Sequence, residues 1–280
     1  MKDNLAYLNF IDSDEKRVVC SALELAERCR SLKIHVSSFL NIREQELIKT
    51  ALLSDGSFCF TFYGGFKDAQ RRVLVVFPEH YMYSLFLEPG FIDSDDDNIT
   101  KLCRENTSDT IKVLRITCSD FVELSHRDFM GALLSLGIER NTVGDIVTDT
   151  KHSAYIFVLT KMAQFICDNL TSVGRTSVKA EICDNVNINI KHNTQMINTI
   201  AASLRFDCVI SAITGISREK AKTIINQGHA ELNYYPKASP DQHVKSGDII
   251  SVRGHGKYKI SDASGLTFKG KSKITVLKYI

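Results

Sequence analysis

The sequence has little of what marks several broad protein classes. Four prolines and fifteen glycines among 280 residues exclude a collagen-like or low-complexity chain. No apolar run approaches the roughly 20 residues needed to cross a bilayer. The opening Met1-Lys2-Asp3-Asn4 leads into no signal-peptide core. These absences predict a soluble, cytoplasmic protein with no membrane partner. The eight cysteines (20, 29, 59, 103, 118, 167, 183 and 208) contain no C-x-x-C, and the eight histidines contain no H-x-x-x-H. Zinc ribbons and thioredoxin-like redox motifs are therefore unsupported, and no metal site is expected. Cysteines among apolar neighbours, as in Phe58-Cys59-Phe60, read as buried free thiols.

Net charge is also scarce, at +2 overall, which argues against a polyanionic partner only if the charge is evenly spread. It is not. From residue 190 to 280 there are 14 Lys/Arg against 6 Asp/Glu, a net of +8, while residues 1–189 carry −6. Such asymmetry points to one end meeting a polyanion, although a solvated basic surface would give the same count.

Hydropathy periods divide the chain in three. Residues 1–70 read as a mainly helical segment: Val18, Val19, Ala22, Leu25, Ala26 and Cys29 form one apolar stripe, and a second amphipathic stretch stops at Asp55-Gly56. Phe58, Phe60 and Phe62 then alternate with a strand's period. Residues 71–185 read as β-α-β-β-α-β, with helices over 126–136 and 161–170. That is the order of a ferredoxin-like (RRM-like) split βαβ domain, a fold that hosts RNA-binding modules and enzymes alike. An acidic run, Asp93 with Asp95, Asp96 and Asp97, reads as a solvated loop. Residues 186–280 hold two short helices, 206–213 and 218–227, followed by strands. Ser217 is placed to cap the second helix and Gly228 to end it. The fold class expected is α+β.

Several motifs match catalytic signatures and lack their context. Gly265-Leu-Thr-Phe-Lys-Gly-Lys-Ser272 fits the phosphate-binding P-loop pattern, but a β-branched, alternating segment follows where a helix is required. A basic turn with Lys269, Lys271 and Lys273 is the better reading, so no nucleotide cofactor is expected. His126-Arg127-Asp128 resembles the kinase catalytic loop, yet Leu133 stands at the position of its asparagine. Ser217-Arg-Glu-Lys220 mimics S-x-x-K without the partner motifs of penicillin-binding proteins. No catalytic residue is assigned. An RNA-modifying enzyme, with His126, Asp128 and Asp145 as its only candidate groups, is kept as the alternative.

The helix from Arg218 is more informative. Ala221, Ile224 and Ile225 share a face that must be buried, leaving Arg218, Lys222 and Asn226 in one exposed row and Lys220 and Gln227 in another. A helix N-terminus already favours anions, and cations on its open faces suit phosphate oxygens. Downstream, Arg253, His255 and Lys257 surround Gly254 and Gly256.

Leu204-Arg205-Phe206-Asp207, Ser217-Arg218, Ala221, Ile224-Ile225, Gly228, Leu232-Asn233, Val244, Gly247-Asp248-Ile249-Ile250 and Val252 together resemble the S4-type RNA-binding domain over about 50 residues. Further stretches look like the YlmH family: Ser251-Val-Arg-Gly-His-Gly-Lys257, the segment 126–146, Phe62-Tyr63-Gly64-Gly65-Phe66 and Arg71-Arg72. Tyr234 replaces the glycine common in S4-type domains, Ala230 a larger β-branched residue, and Lys257 a common arginine. The resemblance implies a non-enzymatic, cofactor-free RNA-binding protein of structured rRNA or tRNA. It also implies association with the large ribosomal subunit in rescue of stalled translation, in a family described as cell-division-associated. By that resemblance Arg205, Arg218, Lys220, Lys222, Arg253 and Lys257 supply charge, and Ser217, Gln227 and Asn233 supply hydrogen bonds.

Overall fold

A computed structural model describes residues 5, 8, 10, 12–29, 33–66, 69–78, 81, 89–92, 97–118, 124–150, 153–183, 194–267 and 270–279. The chain forms two compact units, Met1–Ile190 and Lys191–Ile280. Asp93, Asp95 and Asp96 of the acidic run, Lys269 of the basic turn and the expected boundary at 185/186 lie outside the described residues.

The first unit opens with α1 (Ser13–Arg28), started by the Asp12 carboxylate, which accepts the N–H groups of Asp14 and Glu15 at 2.9 Å each. Its stripe of Val19, Ala22, Leu23 and Ala26 is buried as the spacing requires. β1 (His35–Leu40) leads into α2 (Ile42–Asp55), held by an Asn41/Glu44 capping box and ended by Gly56 at φ 74°. β2 (Cys59–Tyr63), β3 (Arg72–Phe77) and β4 (Gly90–Phe91) complete a sheet ordered β1-β3-β2-β4. The expected helical N-terminal segment is therefore corrected to a mixed one. Residues 1–70 contribute two strands, and the central strand β3 lies beyond residue 70. The strand at β1 escapes a period-2 reading because its register shifts between Val36 and Phe39, across Ser37-Ser38.

After α3 (Asp97–Thr107), a second sheet is built from β5 (Ile111–Cys118), β6 (Val143–Thr150), β7 (Ser153–Leu159), β8 (Ser172–Val173) and β9 (Thr176–Cys183). Its order is β6-β7-β5-β9-β8, all antiparallel. Helix α4 (His126–Ser135) follows β5 and α5 (Thr160–Asn169) follows β7. Alternation sorts this sheet's side chains into two cores. Leu114, Ile116, Ile156 and Val158 meet Phe129, Leu133, Ala163 and Ile166 of the helices. Ile111, Phe157 and Leu159 meet Phe39, Val73, Val75 and Phe77 of the first sheet. The first sheet's remaining face, with Leu40, Phe60, Phe62, Leu74 and Val76, packs on α1 and α2. The layers thus run helix, sheet, sheet, helix. Both sheets are covered on both sides, which is why β3 reads Val73-Leu74-Val75-Val76 without alternation.

The second unit is one antiparallel sheet with two helices on one face. β10 (Thr194–Ala201), β11 (Ala230–Leu232), β12 (Ile249–Val252), β13 (Gly256–Leu266) and β14 (Ser272–Tyr279) are ordered β10-β14-β13-β12-β11. Helices α6 (Phe206–Thr214) and α7 (Arg218–Asn226) bury Phe206, Val209, Ile210, Ala221 and Ile225 against Ile250, Val252, Tyr258, Ile260, Ile274 and Val276. Each large aliphatic or aromatic side chain removed from water this way contributes about 1.5–3 kcal/mol. The P-loop-like segment falls at the hairpin between β13 and β14, closed by the Thr267 N–H donating to the Lys271 carbonyl at 2.8 Å. It enters the strand β14 where a P-loop requires a helix. Among the described residues, no helix is long and apolar enough to cross a membrane.

Candidate nucleic-acid interface

Helices α6 and α7 meet at their N-termini, and one carboxylate lies between them. Asp207, in the first turn of α6, has no exposed side-chain surface. Arg218 donates from Nε to Asp207 Oδ2 at 2.9 Å, and Arg205 from Nε to Oδ1 at 3.3 Å. The Lys222 ammonium stands 4.0 Å from Oδ2. The three cations remain partly open to solvent, at 37% for Arg205, 47% for Arg218 and 46% for Lys222. Burial opposes ionisation of Asp207, but the hydrogen bonds from Arg218 and Arg205 outweigh it and hold the carboxyl below the usual carboxylate range. The result is three cations around one buried anion, with the exposed Asp241 carboxylate close enough to interact with Arg205 and Asp207.

The other expected residues divide into groups. Ser217 caps α7, its side chain accepting the Lys220 N–H at 3.3 Å, so its oxygen serves the helix. Lys220 is exposed on α7, two residues from both Arg218 and Lys222 and on another face of the helix. Gln227 is exposed at the far end of α7, where its N–H donates to the Thr223 carbonyl at 3.0 Å. Arg253 is exposed near the same end, 3.3 Å from the His229 ring. Asn233, expected to face RNA, is instead committed to the domain. Its Nδ2 donates to Asp248 Oδ1 and its Oδ1 accepts from the Ile249 N–H, both at 2.9 Å, which supports its φ of 50°. Lys257 alternates with the buried Tyr258 and so points to the sheet face opposite the helices. Its ammonium lies 4.8 Å from the Tyr234 ring centre and 5.4 Å from that of Tyr279. The structure therefore gathers Arg205, Arg218 and Lys222 and leaves Lys257 apart from them. Asp207, the residue that gathers them, stands in the S4-like stretch Leu204-Arg205-Phe206-Asp207, whose sequence assigned it no role of its own.

In the first unit, the residues resembling catalytic ones have structural partners. Asp128 accepts from the Ser125 N–H at 2.8 Å and from its hydroxyl at 2.6 Å, starting α4. Asp145 accepts the backbone N–H groups of Gln70, at 2.5 Å, and Arg71, at 3.2 Å. Burial raises its pKa, and those hydrogen bonds work against the rise. The Arg71 guanidinium reaches the carbonyls of Val143 at 2.9 Å, Arg140 at 3.1 Å and Phe39 at 3.3 Å. Arg140 donates to Val143 at 2.7 Å; burial and the like charge of Arg71 push its pKa down to about 10. These groups lock the first sheet to the second. His126 is held below its ordinary pKa by burial and by Arg140. A cavity of about 600 Å³ lies between α1 and β1, lined in part by Arg17, Glu24, Arg28 and Ser38, and none of the expected RNA-contacting residues reaches it. No cluster of three or more acidic, His or Cys side chains able to hold a metal occurs among the described residues.

Comparison with known proteins places the match on the second sheet. The family described as "Putative RNA-binding domain in YlmH" matches residues 106–187, from the end of α3 through β9. Over those residues the chain resembles this family. A relative, the "Ribosome-associated protein quality control protein P2" of Bacillus subtilis (strain 168), is 26% identical over 265 residues, which is 94% of each protein. The solved structure titled "Cell division protein ylmH from Streptococcus pneumoniae" is 17% identical, with a TM-score of 0.46, and covers 63% of this chain and 95% of that one. The matched domain does not include the cationic cluster of α6 and α7. Its own sheet face opposite α4 and α5 is partly occupied by the first sheet, through Phe39, Val73 and Phe157.

Proposed function

We propose that this chain is a non-enzymatic RNA-binding protein that works on the ribosome. Its second unit is an S4-type domain that grips structured rRNA or tRNA by phosphate contacts, and its second sheet is a ferredoxin-like domain. The strand order β6-β7-β5-β9 around α4 and α5 supports the second assignment. The observation that carries the function is the convergence of Arg205, Arg218 and Lys222 on the open side of a helix pair, in the segment bearing the chain's excess positive charge. Guanidinium groups there present paired donors to phosphate oxygens. Such contacts position RNA more than they read its sequence. Lys220 adds charge in the neighbouring exposed row of α7, and Arg253 and Gln227 contribute at the far end of that helix. Likeness to the Bacillus relative, whose name marks it as ribosome-associated, supports the ribosomal setting; the large subunit and the rescue of stalled translation are part of the proposal, drawn from the family resemblance of the sequence. The protein acts in the cytoplasm and needs neither a metal nor a nucleotide.

The test is the salt dependence of tRNA and rRNA-hairpin binding. Affinity should fall steeply with salt, and Arg218→Ala with Lys222→Ala should make the log–log slope shallower by about 2, one per lost phosphate contact. Unchanged affinity and slope in the double variant would refute this face. The alternative, an RNA-modifying enzyme targeted by the second unit, must draw on His126, Asp128 and Asp145, two of which have capping or cross-linking duties. Mass analysis of RNA nucleosides with and without the protein separates the two readings.

A further inference from the structure

Asp207 is out of place by simple electrostatics, because a carboxylate in the middle of a phosphate-binding face repels its ligand. Its geometry resolves the conflict. The acid lies in the first turn of α6, Arg205 is the N-cap of that helix, and Arg218 opens α7. Both arginines engage the carboxylate through Nε, so the outer nitrogens of each guanidinium are not the atoms bound to it. The acceptor is fully buried, while the donors are partly exposed. A long side chain anchored at Nε loses fewer conformers when phosphate binds, and its planar fork stays oriented. Lys222, one helical turn after Arg218, completes the set.

We propose that Asp207 is a positioning residue for RNA binding: it holds Arg205 and Arg218 in their phosphate-ready geometry, so removing this negative charge weakens binding to a polyanion. This rests on the helix-face reading above and deepens it. Coulomb attraction alone gives the opposite sign, since Asp207→Asn adds one positive charge to the face.

The experiment compares four full-length proteins by fluorescence anisotropy with end-labelled total tRNA: wild type, Asp207→Asn, Arg218→Ala and the double variant. Arg218→Ala and Asp207→Asn are each expected to weaken binding about 10-fold. The double variant should be weaker than Arg218→Ala by clearly less than 10-fold, because the part of the Asp207 effect that runs through Arg218 is already lost and only that through Arg205 remains. If Asp207→Asn binds as tightly as wild type or tighter while Arg218→Ala is weak, the positioning role is overturned and the helix-face reading stands. If Arg218→Ala has no effect, the face reading fails and takes this inference with it. A merely structural Asp207 would leave the two effects on binding additive, which also overturns the proposal. If Asp207→Asn does not fold, Arg218→Lys replaces it: charge is kept and the Nε hydrogen bond is lost. Weaker tRNA binding by that variant supports the role, and unchanged binding overturns it.

Discussion

Replacing Gly144 by alanine should destabilise the first unit, whereas the same replacement at Gly131 should stabilise it. Gly144 lies in β6 where the two sheets meet, and its φ is outside the left-handed region, so the backbone itself accepts alanine. The obstacle is space. A Cβ there would stand 2.6 Å from Phe39 Cε1, 2.8 Å from its Cζ and 3.0 Å from Phe157 Cβ. Carbon atoms rest about 3.5–4.0 Å apart, so a ring must move by about 1 Å. Both phenylalanines are only 1% exposed, and neither has open space to move into. Overpacking of this kind costs about 1–3 kcal/mol, offset by up to about 1 kcal/mol from the stiffer unfolded chain. The net loss should be about 1–2 kcal/mol, a drop in Tm of about 2–8 °C for a unit of this size. Gly131 is an exposed interior residue of α4 with no atom within 4 Å of its Cβ position, so alanine should add about 0.5–1 kcal/mol. The chain has no tryptophan, so urea unfolding is best followed by far-ultraviolet circular dichroism. Equal or greater stability of Gly144→Ala, or the same sign for both variants, would refute the sheet-on-sheet packing argument.

Thiol chemistry and acid unfolding give further checks. Burial pushes Cys29 up to about 11 and Cys59 and Cys103 up to about 12, so all three should resist iodoacetamide at pH 8 until the chain unfolds. Peptide mapping in which they label in the native protein as fast as the partly exposed Cys20 would contradict their burial. Asp207 is held below the ordinary carboxylate value of about 3.9, so its stabilising contribution is present above that pH and lost as pH falls through the lowered value. The stability difference between wild type and Asp207→Asn should therefore shrink below about pH 4, measured by urea unfolding from pH 3 to 7. A difference that stays constant across that range would exclude an ionised, paired Asp207.

How much of this was legible before folding depends on how local each signal is. Ser217 and Gly228 mark α7 because a capping hydroxyl and a left-handed glycine act within one turn. The stripe of α1, the two helices of the second sheet and the order of its strands were equally readable from period and punctuation. β10 was not. Its sequence Thr-Gln-Met-Ile-Asn-Thr-Ile-Ala places Met196 and Ile200 outward on a sheet edge, and only eight paired residues of β14 make it a strand. Gly64-Gly65 reads as the end of the Phe58–Phe62 strand, and nothing local marks why Gly65 or Gly144 is a glycine. Gly144 and Gly65 in fact lie where Phe157 comes within 3.0 Å of the missing Cβ, a contact between residues far apart in sequence.

The sequence by itself determined the charge division, the helix caps, the S4-like spacing and the scattering of cysteines, since each depends on composition or on neighbours within a few residues. Tertiary structure alone decided that two sheets stack face to face, that Asp145 and Arg71 cross-link them, and that Lys257 turns away from the helix pair. It also decided that Asp207 lies beneath Arg218, eleven residues on. The physical reason is one of range. Capping and periodicity act within a turn or two of chain, whereas a buried carboxylate finds its partners only after apolar packing has brought two helix ends together.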